Sequence, residues 1–302
     1  MAAAVAPALN SAGTYTVLGT NASPTAGTVT CTNSGTGSTI NGDVGSTFTS
    51  ITSTGCTIAG TIDTPVTGSV VADFTNAYGA LDSLNPVCDG VLPAISSTLA
   101  PGVYCSPGAV VLGAGIIFTL SGSASDVWVF RVGTGGSGAL TATGFQVLMD
   151  GSAQACNVYW RTAAAATLTG SSFQGTILSG AAITMTGGSY VGRAFATTDV
   201  TVTDAAPMTF AGCSAPASIT VLKDFIPNSA ATVPVALSCT SGTVTTSPLN
   251  AAEGAPAVFQ VTGASAGATC TATETVPLGY TANQVNCVGV ALNGSCTITN
   301  TL

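Results

Sequence analysis

The sequence predicts an all-β protein in two parts, and three observations carry that reading. Charged residues make up 5% of the 302 residues while 46% are apolar. A chain of that balance can bury a core, so disorder is excluded; scarce Lys and Glu beside abundant Thr and Val favour strands over helices. Glycine, with 37 residues, punctuates the chain at short intervals and marks turns between short elements. Finally, a seventeen-residue stretch recurs three times in succession, which points to a stacked coil.

The elements follow in order. The opening MAAAVAPALNSAG lacks a basic region and reads as a mature N-terminus carrying an added Met rather than a signal peptide. Residues 70–83 carry Val70, Phe74, Tyr78 and Leu81 at three- and four-residue spacing and stop before Pro86. That spacing predicts one helix, its apolar stripe packed along a face of the coil rather than holding a ligand.

The repeat lies further on. CNVYWRTAAAATLTGSS (156–172), FQGTILSGAAITMTGGS (173–189) and YVGRAFATTDVTVTDAA (190–206) align without gaps. LTATG (140–144) resembles a fourth copy, set apart by VLMDGSAQA (147–155). Seventeen residues cannot hold a self-packing helical unit but fit one turn of a β-solenoid, three short strands with Gly corners. Side chains alternate in and out along a strand. Thr167/Thr169, Thr184/Thr186 and Thr201/Thr203 then face solvent, while Leu168, Met185 and Val202 fill the interior. With coils about 4.8 Å apart and alternate residues about 6.7 Å apart, these threonines form a two-column grid. The GTIL and GRAF strands make a second, smaller and more apolar face.

A boundary is expected near 214–219, dividing residues 1–214 from 217–302. Three Arg against nine Asp leave −6 on the first part, and one Lys against Asp224, Glu253 and Glu274 leaves −2 on the second. Neither carries a charge run, and four basic residues in all exclude a nucleic-acid footprint. No apolar run is long enough to span a bilayer.

Ten cysteines (Cys31, Cys56, Cys88, Cys105, Cys156, Cys213, Cys239, Cys270, Cys287, Cys296) include no C-x-x-C, and the chain has no histidine. Zinc is therefore excluded, and the even count points to disulfides and an oxidising compartment. Without histidine no Ser-His-Asp or Cys-His nucleophile exists, and a calcium-loop motif is absent. The acids of the first part are scattered, and Asp199 and Asp204, flanking one strand, are expected to cap turns. Arg161 and Arg193 are expected on the surface or paired with carboxylates rather than holding an anion; Trp128 and Trp160 read as core aromatics. Neither an enzyme nor a cofactor is expected.

The run TYTVLGT, STINGDVGS, ADFTNAYGAL, LAPGVYCS, DVWVFRVG, QACNVYWRT, FQGTILSG, YVGRAFA, over roughly residues 8–212, resembles the bacterial and fungal β-solenoid ice-binding proteins. The resemblance implies a right-handed triangular solenoid with a helix alongside, whose N-terminal strands cover one end. That would set GTVTCT (27–32) beside VTVTDA (200–205) and add Thr28, Thr30 and Thr32 to the grid. TAGT (25–28) and TGST (36–39) have the family's T-A/G-x-T form. The implied partner is an ice crystal surface, met by a monomer, secreted or at the cell surface. Residues 217–302, through ITVLKDF, FQVTGASAGATCTATE, GYTANQVNC and SCTITNT, resemble a prealbumin-like or collagen-adhesin-type β-sandwich repeat. That resemblance suggests a fragment of a longer surface chain, attached to a cell wall or to further repeats. The alternative it leaves open is an adhesin or stalk whose solenoid binds protein or glycan. Disulfides are expected between Cys31 and Cys56, Cys88 and Cys105, Cys156 and Cys213, Cys239 and Cys270, and Cys287 and Cys296, although spacing alone does not dictate connectivity.

Overall fold

The computed structural model describes all residues except 1–3, 22–26, 36–37, 84–87, 206, 211, 214–216, 263 and 265–266. Pro86, parts of the TAGT and TGST motifs and the start of the boundary segment lie outside the described residues. The chain separates into two compact units, Met1–Cys213 and Ser214–Leu302.

The first unit is a three-sided β-solenoid. Nine, seven and eight strands form three sheets, and every pairing within them is parallel. Each coil contributes one strand to each sheet. Val158–Thr162, Ala166–Thr169 and Ser172–Gln174 make one coil, and Thr176–Ser179, Ile183–Thr186 and Ser189–Val191 make the next. The seventeen-residue spacing therefore places like residues directly above one another: Trp160 on Ile177, Leu168 on Met185, Phe173 on Tyr190.

The corners after Thr143, Thr169, Thr186 and Thr203 are each turned by a left-handed residue. Gly144, Gly170 and Gly187 have φ of 61°, 57° and 60°, and Asp204 takes the same place at 49°. Glycine occupies that conformation without steric cost, and aspartate is among the few other residues that tolerate it. The ladder continues through the corner, with Gly170 N donating to Thr186 O and Gly187 N to Thr203 O.

The interior is a single apolar column. Phe118, Phe130, Phe145, Trp160 and Phe173 stack through it, Phe130 and Trp160 with ring centroids 4.0 Å apart. Both tryptophans are fully buried, and their indole N–H groups donate to Leu99 O and Gln174 O. They are core residues with satisfied donors, as their apolar neighbours predicted.

Helix α1 (Gly68–Asp82) starts two residues before the predicted stretch and ends one short of it. It buries Val70, Phe74, Ala77 and Leu81 against the outer side of the nine-stranded sheet, where Leu18, Val103, Val129, Tyr159, Leu178 and Phe195 receive it. Tyr78 lies at the rim of that stripe and donates its hydroxyl to Thr162 O. This sheet is thus buried on both sides, which is why VWVFRV, VYWRT and GTILS read as unbroken runs rather than alternating ones.

The N-terminal segment completes the stack. Tyr15–Gly19, Val29–Thr32 and Ser38–Asn41 form a coil lying against Ala194–Ala196, Val200–Thr203 and Met208–Thr209. Asp43–Ser46, Thr52–Thr54 and Cys56–Ile58 form another beyond it. The first coil by sequence is thereby a neighbour of the last. Disulfides join Cys31 to Cys56, Cys88 to Cys105 and Cys156 to Cys213.

The second unit packs a five-stranded sheet and a four-stranded sheet around its own core. Its long strands alternate, Ala217–Ile226 burying every second side chain. Cys239–Cys270 ties paired residues of adjacent strands, and Cys287–Cys296 ties a 3-10 turn to the last strand.

Phe130→Ala should cost the solenoid about 3–5 kcal/mol, because the stacked interior cannot collapse into the gap. Both tryptophans lie in the first unit, so denaturant unfolding followed by indole fluorescence measures that loss directly.

Candidate functional site: a two-column threonine face

The seven-stranded sheet runs, in spatial order, Val110–Leu112, Leu140–Thr143, Ala166–Thr169, Ile183–Thr186, Val200–Thr203, Val29–Thr32, Thr52–Thr54. Its inward residues, among them Leu140, Ala166, Leu168, Ile183, Met185, Val200 and Val202, are buried. Its outward residues form two columns. One is Thr141, Thr167, Thr184, Thr201, Thr30, Thr52; the other is Thr143, Thr169, Thr186, Thr203, Thr32, Thr54. Register passes without a shift through all six strands, so the grid is about 24 Å long.

Eight of these twelve threonines were predicted: Thr167, Thr169, Thr184, Thr186, Thr201, Thr203, Thr30 and Thr32. Thr141 and Thr143 had a signal in the LTATG copy. Thr52 and Thr54 lie in TSTG, outside the seventeen-residue phase, and only the stacking of the N-terminal coils brings them into line. Thr28 departs from the expectation: it stands before its strand, at the corner, and its hydroxyl donates to Asp199 Oδ1 at 2.9 Å.

The grid carries no ionisable side chain. Among the described residues, Thr32 and Thr203 share a hydroxyl–hydroxyl hydrogen bond of 3.2 Å, and the other ten hydroxyls are left to solvent. β-Branching confines each χ1, so every position presents one methyl and one hydroxyl in a narrow range of orientations.

The charged residues flanking the grid serve the fold. Asp199 Oδ1 accepts from Gly27 N and Thr28 N, at 3.1 and 2.9 Å, and Asp204 accepts from Ser34 N at 2.7 Å. These two carboxylates cap the corners where the N-terminal coil meets the last coil, which is the turn role predicted for them. Arg193 donates to Tyr15 O and Gly13 O and lies over the Phe210 ring; burial lowers its guanidinium to about 10. Arg161 pairs with Asp82 at 2.8 Å and lies over Tyr78, under the end of α1.

The other two faces differ. The nine-stranded sheet, bearing the GTIL and GRAF strands, lies under α1 and the N-terminal segment, which removes the apolar second face from solvent. On the third face, outward positions mix Gln146, Leu148, Asp150, Gln174, Val191, Thr209 and Asn41, so neither size nor charge repeats.

The ice-binding-like family model matches residues 25–206. The chain belongs to that family. It is 41% identical over 85 residues to ice-binding protein K3-B1 of Typhula ishikariensis, covering 28% of this chain and 32% of that one. It is 37% identical over 120 residues to an ice-binding protein of Flavobacterium frigoris, covering 38% and 40%. The chain thus spans less than half the length of these curated relatives. The crystal structure of an ice binding protein from an Antarctic biological consortium superposes with a TM-score of 0.57 at 28% identity, over 70% of this chain and 93% of that one. The match to the family ends before the second unit begins.

Asp199→Ala should leave three donors at Gly27 and Thr28 without their acceptor. Amide exchange at those two residues is expected to rise by about tenfold, equivalent to about 1.4 kcal/mol, with core amides such as Ile177 unchanged.

Proposed function

We propose that this protein adsorbs to ice through the threonine face. The carrying observation is the unbroken register of twelve outward threonines on a solenoid side that is chemically uniform and that, among the described residues of the first unit, no helix packs over. Three supports meet here: family membership, the geometry of the grid and the absence of ionisable groups from it. The proposed contact residues are the two columns, with Thr28 at their margin.

The mechanism is physical. Hydroxyls at fixed spacing anchor water, and the methyls between them leave that water few other partners, so an ordered layer forms on the face. Where this layer matches a crystal plane it joins the lattice. A charged side chain would orient its own hydration shell and break the pattern, which accounts for the charge-free grid. Each contact is weak, so adsorption needs many made together by a surface that loses no entropy on binding. The stacked coil, held by hydrogen bonds, disulfides and an aromatic interior, supplies that rigidity. Nothing in this action calls for a catalytic group, and we read the protein as a binding module rather than an enzyme.

We further read the chain as acting singly and outside the cell, since five disulfides suit an oxidising compartment. No helix among the described residues is long and apolar enough to cross a membrane. The second unit, two sheets with alternating strands and two disulfides, serves in this reading as a prealbumin-like spacer or attachment repeat.

Thr184→Tyr puts a bulky ring near the centre of the grid. It should cut thermal hysteresis by more than about half while changing stability by no more than about 0.5 kcal/mol. Val191→Tyr, on the third face, should leave hysteresis unchanged; the reverse pattern would move the binding face there. Hysteresis should also be flat from about pH 5 to about pH 9, because the face holds nothing that titrates. Exclusion of the protein from a growing ice ball would favour an adhesin acting on protein or glycan instead.

A further inference from the structure

The two ends of the threonine grid are built differently. Beyond Thr141 the sheet continues into Val110–Leu112, where Val110 and Leu112 are buried and Val111 takes the outward place. That coil has an ordinary apolar interior and no threonine at the surface. At the other end, Thr52–Thr54 presents threonine at both outward places with nothing apolar between them. The inward position, filled in the preceding coils by Leu168, Met185, Val202 and Cys31, is Ser53 here. All three residues of the strand are exposed.

A short edge strand without a buried side chain belongs to the low-stability end of a fold. Its neighbours along the chain are better held. Tyr15 donates its hydroxyl to Asp63 Oδ2, and Thr61 N donates to Asp43 Oδ1, both at 2.8 Å. Ile51 and Ile58 are partly buried against the solenoid core. Within residues 52–57 the side chain that reaches that core is Cys56, and it is bonded to Cys31.

The placement of this disulfide is specific. Cys31 is fully buried between Thr30 and Thr32, in the coil that carries the fifth row. Cys56 lies one coil further out, past the corner that Gly55 turns at a φ of 67°. The bond therefore crosses a coil boundary and a corner together. Ser53 Oγ donates to Cys56 O at 2.8 Å, which carries the restraint back to the middle of the threonine strand.

We propose that Cys31–Cys56 is a positioning cross-link for the threonine face, holding Thr52 and Thr54 in file as its sixth row. The inference rests on the reading of that face as the one that meets ice. A surface that adsorbs through many weak contacts gains from an added row only if that row is as rigid as the others. In the inner coils a buried side chain beneath each row supplies the rigidity. The outermost coil has no further strand beyond it in the sheet, so an apolar side chain at position 53 would stay partly wet and hold little. A covalent bond to the coil beneath restrains the chain without needing burial. The contrast with Val110–Leu112 follows: the end that has its own core carries no threonine, and the end that carries threonines is tied down instead.

Thermal hysteresis and amide exchange of the full chain test this. Cys31→Val/Cys56→Ser opens the link and keeps an apolar side chain between Thr30 and Thr32. Hysteresis should fall by about a third or more, because contacts that act together are lost together. Thr52→Ala/Thr54→Ala, with the link intact, should show the same loss. The two changes combined should lose no more than either alone, since both remove one row. In solution, exchange at Asn33 N, which donates to Thr54 O, and at Ala59 N, which donates to Ile40 O, should rise about tenfold in the cross-link variant, with Ile177 unchanged. Wild-type hysteresis in Cys31→Val/Cys56→Ser overturns the proposal, as do additive losses or unaltered exchange at Asn33 and Ala59. A wild type without hysteresis refutes the reading of the face, and exchange then decides by itself whether the link positions the strand.

Discussion

Constant coil height is the constraint on which the first unit rests. Parallel strands bond only if each coil returns to the same place one strand spacing above the last. Side chains alternate with a period of two, so a one-residue slip would send Thr184 inward and Met185 outward. The recurring seventeen-residue interval meets that demand. The same register that buries Leu168, Met185 and Val202 holds the threonines on either side of each in file. Core and binding surface are therefore set by one requirement, and a sequence that satisfies the first lays out the second.

Departures from that interval show where the constraint is slack. VLMDGSAQA lengthens one coil, yet Thr141 and Thr143 stay in column with Thr167 and Thr169. The extra residues extend the third-face strand to Gln146–Gly151 and add the 3-10 turn Ala155–Asn157 before the next coil starts. Corners absorb length; the ladder does not. The third face, where such adjustments accumulate, is also the face without chemical regularity.

Enlarging the grid depends on capping the stack with the N-terminal segment. Two coils from the start of the chain add four threonines, and their placement is enforced from several sides. Asp199 and Asp204 accept their corner amides, Arg193 binds their entry strand, and Cys31–Cys56 ties them together beneath the surface. Polar groups here have structural duties at the margins, which leaves the grid itself uncharged. In the second unit the pattern is inverted, with the Lys223–Glu274 pair and Asn300 each enclosed in an apolar core.

Much of this was legible from local pattern. The all-β class followed from composition, the solenoid from the interval, and α1 from four apolar residues at helical spacing, because each is set by neighbours along the chain. Eight of the twelve grid threonines followed from alternation within the repeat and from the family likeness. Thr52 and Thr54 had no such signal, since their place depends on contacts with strands far away in sequence. Nor could periodicity choose among three faces: nothing in the repeat says that α1, with Leu9 and Ala12, packs over the sheet that holds the GTIL and GRAF strands. The sequence by itself determined the repeat and what each coil buries, because these are properties of one strand and its alternation. The tertiary structure alone decided which side stays uncovered, where the N-terminal coils stack and which polar residues meet inside the second unit, because those outcomes depend on what distant segments pack against.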